Sequence, residues 1–527
     1  MANTLLFPRL AGRSPPAANA HDEEGVPAFA LDERHQLAQL AATGCLNQTF
    51  YAQAEPHLDA VLALAQKVDA SFVAKAAIHA REAGYMNMSA LLTAVLAVRD
   101  VALCAQVFGR TIDDGKMLRN FVQIVRSGAA GRKSLGSRPK KLVQHWLLNA
   151  TETQLLNAAV GSAPTLADVV KMVHPKPAQA WRTAWFAWLI GKPFNEAALP
   201  PITLAFEQFK RAVAAGQAPD AQALPEVPFQ MLTALELSTA QWAQIARTGS
   251  WQMVRQNLNT FARQGVFEVK GMAEQIAAKL RDRQAIAQAH VLPYQLMVAC
   301  QAGGDAVPAV VREALQDAME TALANVPDFA GRVAVCPDVS GSMHSPVTGF
   351  RRSATSTVRC IDVAALVAAA VLRKNPSARV LPFEQQVVTK LRLNPRDSVI
   401  ANAQALAAIG GAGTNCGAPL ALLNAERAAV DLVILVSDNE SWVDATRHGA
   451  TQTMHAWETL KNRNPRARLV CIDIQPYGTT QAAQRQDILN VGGFSDAVFA
   501  TVAAFAQGKT SAGHWAAEIE KIPLAVQ

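Results

Sequence analysis

No apolar run in this chain reaches the roughly 18 residues that a membrane-spanning helix needs, and the N-terminus has no basic stub followed by a hydrophobic stretch. Both absences lead us to expect a soluble, non-secreted, cytoplasmic protein. Cysteine pairing signals are missing too. The seven cysteines have no CxxC spacing and are scattered over the whole length, and their odd number points to reduced thiols. Cys336, Cys416 and Cys471 fall in or beside apolar runs or candidate loops and read as small buried hydrophobes. A third absence is local: between Asp114 and Glu152 there is no acidic residue. The same interval holds Lys116, Arg119, Arg126, Arg132, Lys133, Arg138, Lys140 and Lys141, with His145 close behind. Clustered positive charge with little opposing charge suits a polyanion.

A chain of 527 residues is too long for one core and implies two or three domains. The first 30 residues, with Pro8, Pro15, Pro16, Gly25 and Pro27, read as an irregular arm that ends in a short strand near Ala28. Residues 31–325 then read as successive helices of ten to fifteen residues broken by Gly, Pro, Asn or Asp. Ser71 to Ala83 closing at Gly84, and Met117 to Val125 closing at Gly128, are examples. Such a series suggests HEAT-like stacking, with an irregular helical domain as the alternative, since no exact repeat period is visible.

Within that region, residues 131–141 mix glycines and serines with Arg132, Lys133, Arg138, Lys140 and Lys141. Backbone amides and cations could meet phosphates there together, unless the loop is merely solvated. It is not a Walker A loop, because the Gly-Lys-Ser/Thr ending and the preceding strand are missing. His174 and Lys176 sit in a His-Pro-Lys-Pro turn stiffened by its prolines. Trp181, Trp185, Trp188, Trp242 and Trp251 are expected in the core, not as base-stacking platforms.

From residue 326 the pattern changes. Apolar strands at 332–336, 378–383, 432–436 and 469–474 alternate with helical stretches, which implies a mainly parallel sheet covered on both faces. Ligands of such sheets gather at the carboxyl ends of strands. There the first strand runs into Asp338-Val339-Ser340-Gly341-Ser342, and the third into Asp438. A glycine-rich loop at 410–417 supplies Thr414. Two carboxylates and three hydroxyls form an oxygen donor set suited to Mg2+ or another hard divalent cation. No cationic partner lies within these short motifs and no histidine is arranged as a base for Ser340, so an enzyme is not expected.

These three loops resemble the metal-ion-dependent adhesion site of von Willebrand factor A domains, with Asp338, Ser340, Ser342, Thr414 and Asp438 in the metal-binding positions. Further pieces resemble the TROVE module of the Ro 60-kDa autoantigen family: Gly44 with Thr49, Phe50 and Tyr51, the loop at Gly131-Arg132, the His174 turn, and the runs from Pro228 and from Met253. The resemblance covers roughly residues 28–505 and implies a helical-repeat RNA-binding domain at 31–325, an A domain at 326–508 and a tail at 509–527. It further implies a monomeric ring that binds small Y-like noncoding RNA and takes single-stranded 3′ ends of misfolded or structured RNA, in quality control, processing or decay, with an exoribonuclease as a partner. On this reading Arg126, Arg132, Lys133, Arg138, Lys140, Lys141, His174 and Lys176 face RNA. The segment 157–168 departs from the family by carrying no basic residue. The competing reading is a protein adaptor whose metal captures a partner carboxylate.

Overall fold

The structure, a computed structural model, describes residues 18–21, 27–30, 32–43, 54–162, 164–217, 220–289, 291, 296–297, 299, 306–323, 326–346, 358–438, 451–474, 479–483, 485–492, 496–508 and 514–525. Gly44, Thr49, Phe50 and Tyr51 lie outside them. The chain divides into two compact units, a helical one (residues 58–291, 299–321 and 517–527) and an α/β one (1–57, 292–298 and 322–516).

The helical unit is built from short helices whose ends are written in the sequence. Asp69 accepts the Phe72 amide to cap Ala70–Glu82, Asp100 caps Val101–Thr111, and Asp114 caps Gly115–Ser127. Thr151 and Thr165 open Glu152–Ala159 and Leu166–Val173 with reciprocal capping boxes. Helix Met86–Arg99 is buried without a break from Met88 to Ala97, as a helix enclosed on every side must be. Through this series each helix packs on its neighbour or on the next but one: Met86–Arg99 lies against Ala70–Glu82, Val101–Thr111 and Gly115–Ser127. That is the stacking pattern expected of helical repeats. Trp185, Trp242 and Trp251 are buried in this unit, and Trp185 donates its indole N–H to Thr203 at 3.1 Å. The end of the chain belongs here too: Lys75 donates to the Glu520 carbonyl at 2.7 Å, and Arg110 to that of Pro523 at 2.5 Å.

The α/β unit centres on five parallel strands. In chain order these are β3 (Val333–Pro337), β4 (Arg379–Val380), β5 (Leu432–Ser437), β6 (Arg468–Asp473) and β8 (Ile488–Gly492), and across the sheet they run β4-β3-β5-β6-β8. A second, antiparallel sheet joins β1 (Ala20–His21), β2 (Pro27–Ala30) and β7 (Thr479–Thr480). Strands β3, β5 and β8 are buried at every residue, as strands covered on both faces are. Helices Cys360–Lys374, Val399–Ala407, Ala418–Ala425 and Gln452–Arg463 make the crossovers. Four of the five strands match the apolar runs read from sequence. The fifth, β8, was missed because Asn490 interrupts its apolar run; the Asn490 side-chain amide donates to the Ala482 carbonyl at 3.0 Å.

The N-terminal region also departs from its sequence reading. Helix Glu33–Thr43 falls in the α/β unit, not the helical one, because β2 pairs with β7 and Gln39 donates to the Asn490 carbonyl at 3.0 Å. Cys104, Cys336, Cys360, Cys416 and Cys471 form no disulfide and are buried, and burial pushes the Cys104 and Cys471 thiols up to about 12.

Candidate metal centre and basic surface

At the carboxyl edge of the central sheet, β3 delivers Asp338 and β5 delivers Ser437 and Asp438 side by side. Strand pairing continues into the loop, since the Asp338 amide donates to the Val436 carbonyl at 2.8 Å and the Val339 amide to that of Phe383 at 2.8 Å. Asp338 and Ser340 are 0% exposed, and Asp438 and Thr414 are 1% exposed. The Asp338 carboxylate accepts the Ser340 amide at 2.8 Å on one oxygen and the Ser437 hydroxyl at 2.5 Å on the other. Ser437 Oγ is also 3.5 Å from Asp438 Oδ1, so a single hydroxyl spans the two carboxylates. Ser340 and Ser342 bring their hydroxyls within 3.3 Å of each other.

The glycine-rich loop closes over this cluster. The Gly341 amide donates to the Ala412 carbonyl at 3.0 Å, and a Cβ on Gly411 would fall 2.5 Å from the Gly341 nitrogen. Only glycine permits that approach. Glu384 pins the loop on its far side: its carboxylate accepts the Ala412 amide and its carbonyl accepts that of Asn415, each at 2.9 Å. Thr414 sits between those two anchors. The structure thus assembles all five metal-site residues read from sequence at one sheet edge, and it adds Ser437 and Glu384. The motif comparison did not single out either of them, although Ser437 precedes Asp438 in the same run.

Burial first, and then the neighbouring Asp438 charge, push the Asp338 carboxyl up to about 7 despite its hydrogen bonds from Ser340 and Ser437. Among the described residues no cluster of three or more His, Cys, Asp or Glu is found. The donor set here is two carboxylates with hydroxyls, which fits a hard cation and not a thiolate- or imidazole-bound one. Two adjacent buried carboxylates are chemically matched to a divalent ion.

The basic residues of the helical unit are arranged quite differently. Arg126 ends helix Gly115–Ser127, and the Lys133 stem lies against Gly128, which closes that helix in the left-handed region at φ 91°. Helix Ser137–Asn149 buries Pro139, Val143 and Leu147 and turns Arg138, Lys141 and His145 outward, with Lys140 at its margin. Gln144 on that helix donates to the Val173 carbonyl at 2.6 Å, which sets the His174 turn beside it. His174 is itself left-handed, at φ 51°, and both it and Lys176 are exposed. Among the described residues, the side chains of Arg126, Lys133, Arg138, Lys140, Lys141 and Lys176 pair with no carboxylate.

Two arginines of the acid-free stretch point elsewhere. Arg132 braces its own loop, donating to the carbonyls of Ser134 at 2.9 Å and Leu135 at 2.6 Å. Arg119 is buried and donates to the carbonyls of Val160 at 2.5 Å and Pro164 at 3.2 Å.

A parallel sheet with a hydroxyl-carboxylate cluster at its carboxyl edge, following a stack of helices, defines a von Willebrand factor A domain joined to a helical-repeat unit. Residues 332–506 match the family described as the Ro60 vWA domain. The chain is 25% identical over 358 residues to a Deinococcus radiodurans protein named RNA-binding protein RO60, a match covering 65% of this chain and 66% of that protein. The chain thus aligns with just under two-thirds of the length of that curated relative. Its fold is similar to the crystal structure of the Deinococcus radiodurans RO (RSR) protein, with a TM-score of 0.63 at 21% identity, covering 91% of this chain and 100% of that one. The family match thus covers the A domain, and the likeness of the remaining chain is one of fold.

Proposed function

We propose that this chain is an RNA-binding protein that grips sugar-phosphate backbone through its helical unit. The observation that carries the reading is the set of exposed Arg126, Lys133, Arg138, Lys141 and Lys176 with half-buried Lys140, with no carboxylate partner among the described residues. An unpaired cation costs nothing to redirect to a phosphate, whereas a paired one must first give up its carboxylate. The name of the Deinococcus relative supports the same reading. The ligands we assign are small Y-like noncoding RNA and structured or misfolded RNA with a single-stranded 3′ end. The role is RNA quality control, processing or decay in the cytoplasm, as a monomer that hands RNA to an exoribonuclease. Among the described residues the Ser340 hydroxyl meets that of Ser342 and no histidine, and the role we assign is binding, not catalysis.

In the A domain, Ser340, Ser342 and Thr414 would hold Mg2+ or a similar ion directly, with Asp338 and Asp438 balancing its charge. When bound, that ion supplies an electrophilic position able to take an acidic group from a partner. The buried carboxylate pair favours this second activity, metal-dependent protein capture, alongside RNA binding.

The test is a binding titration with two RNAs sharing one duplex, one blunt and one with a single-stranded 3′ tail, at several salt concentrations. Tight, salt-steep and tail-dependent binding is expected. Replacing Lys133, Arg138 and Lys141 by Ala together should weaken it about 10-fold and flatten the salt slope by about 2. Absence of binding to either RNA would leave metal-dependent protein capture as the leading reading.

A further inference from the structure

The A domain carries its own unpaired cations, in a stretch that neither the metal loops nor the helical unit accounts for. Leaving β4, the chain continues beside β3, with the Leu381 amide donating to Val335 at 2.9 Å and the Phe383 amide to Pro337 at 3.1 Å. It turns at residues 384–386 and comes back antiparallel, where Phe383 bridges Val387 and the Val388 amide donates to Pro382 at 2.7 Å. Past Val388 the ladder ends, and residues 390–396 alternate strictly. Lys390, Arg392, Asn394 and Arg396 are exposed, while Leu391, Leu393 and Pro395 are half-buried. Exposure thus falls on every second residue, and the run ends in a turn where the Asp397 amide donates to the Asn394 carbonyl at 3.0 Å.

The far end of this run is held in place. The Asn394 side chain accepts the Arg396 amide and donates to Asp397, both at 3.0 Å, and Arg373 donates to the carbonyls of Pro395 at 3.2 Å and Arg396 at 3.1 Å. Residues 385–396 contain no acid. Lys390, Arg392 and Arg396 pair with no carboxylate among the described residues. Four other arginines of this domain are ion-paired: Arg332 with Asp431, Arg359 with Asp362, Arg379 with Glu426, and Arg485 with Asp487. Guarding the sheet edge does not explain the strip, because one charge suffices for that and the ladder has already stopped at Val388.

We propose that Lys390, Arg392 and Arg396 form a phosphate-contacting strip, a second RNA surface located on the A domain. The proposal rests on the RNA-binding reading above. Three neighbouring cations on a braced backbone can meet phosphates with little loss of conformational entropy on binding. No aromatic side chain lies within 384–397, so the strip reads backbone charge and not base identity.

The experiment uses the full chain and the tailed RNA. Replacing Lys390, Arg392 and Arg396 by Ala together should lower affinity about 10-fold and flatten the slope of log affinity against log salt by about 2, since each phosphate contact contributes roughly 0.7 to 0.9. The charge-preserving variant K390R/R392K/R396K should restore both, and far-ultraviolet circular dichroism should be unchanged in each. An unaltered affinity and slope, while the Lys133/Arg138/Lys141 variant still weakens binding, would overturn the strip and leave the RNA reading standing. Absence of RNA binding by the unmodified chain overturns both. Capture of polyglutamate that the triple Ala variant abolishes, with RNA affinity unmoved, overturns the proposal in favour of an acidic protein partner.

Discussion

Two carboxylate clusters in the same α/β unit are settled by opposite means. At one, Asp487 lies beside Glu458, and Arg485 bonds to both, with Asp487 also accepting the Trp457 indole N–H at 3.0 Å and Lys461 3.7 Å away. Burial would raise the Asp487 pKa, but the hydrogen bonds from Arg485 and Trp457 and the charges of Arg485 and Lys461 outweigh it and bring it down to about 2. At the other, Asp338 and Asp438 have hydroxyls and amides around them, and the Asp338 carboxyl goes up to about 7. The first cluster carries its own cations. Among the described residues the second shows hydroxyl and amide donors around Asp338, and two adjacent carboxylates with hydroxyls suit an external hard cation.

The contrast breaks most directly at Asp338. Asp338→Asn should reduce divalent-cation affinity by about two orders of magnitude, read by calorimetry with Mn2+ or by Tb3+ luminescence. Equal affinity in the variant would mean that the two carboxylates tolerate each other without a cation. RNA affinity should change less than about twofold, since phosphate contacts, not this loop, carry the binding.

At the self-sufficient cluster the loss shows up in stability. Arg485→Ala strands Glu458 and Asp487 and should cost about 3 kcal/mol in urea denaturation. Asp487→Asn on top of Arg485→Ala should recover part of that loss, because it removes one of the stranded charges. If the single arginine variant is as stable as the parent, Arg485 is not what settles the pair.

The sequence announced these two clusters unequally. The Asp-x-Ser-x-Ser loop and Asp438 were legible because each directly follows an apolar run, and strands of this kind end where ligands gather; Thr414 was legible by its glycine-rich loop. Glu458, Arg485 and Asp487 were not, since one sits on a helix and the others precede a strand whose apolar run is broken by Asn490. The helical unit was legible in its caps, as at Asp69, Asp100 and Asp114. What the pattern could not tell was which way a cation points: Arg119 and Arg132 read like their neighbours, yet carbonyls claim both. The placement of helix Glu33–Thr43 was equally hidden, because β2 pairs with a strand some 450 residues away.

Titration sharpens the comparison, because the two clusters should respond to pH with opposite signs. Asp338 has a folded pKa above its unfolded one, so without a divalent ion its folded form holds a proton more tightly, and stability falls as pH rises from about 4 to about 7. Added Mg2+ should reverse that loss, most strongly above pH 7. Asp487 has a folded pKa below its unfolded one, so its contribution is full above about pH 4 and is lost as pH falls toward 2. Thermal melts across pH with Mg2+ or with chelator separate the two. Asp338→Asn should abolish the Mg2+-sensitive limb, and Asp487→Asn should soften the acid limb.

The smallest effect expected is also the finest probe of how the Asp338 and Asp438 cluster is held ready. Ser437 is buried at the end of β5, and its hydroxyl donates to Asp338 at 2.5 Å while lying 3.5 Å from Asp438. It therefore fixes which way the Asp338 carboxylate turns and keeps the two acids from rotating apart. Removing a group that orients a ligand, without being one, usually costs about 10- to 100-fold in metal affinity. Ser437→Ala should fall near the lower figure, about 10-fold, because the Ser340 amide still holds the other Asp338 oxygen. Ser437→Thr keeps the hydroxyl and should restore affinity, whereas a role in packing alone would leave the Ala and Thr variants ordered by size. If Ala binds cation as well as the parent, the alignment of Asp338 and Asp438 is set by the backbone of β3 and β5 and not by the hydroxyl that spans them.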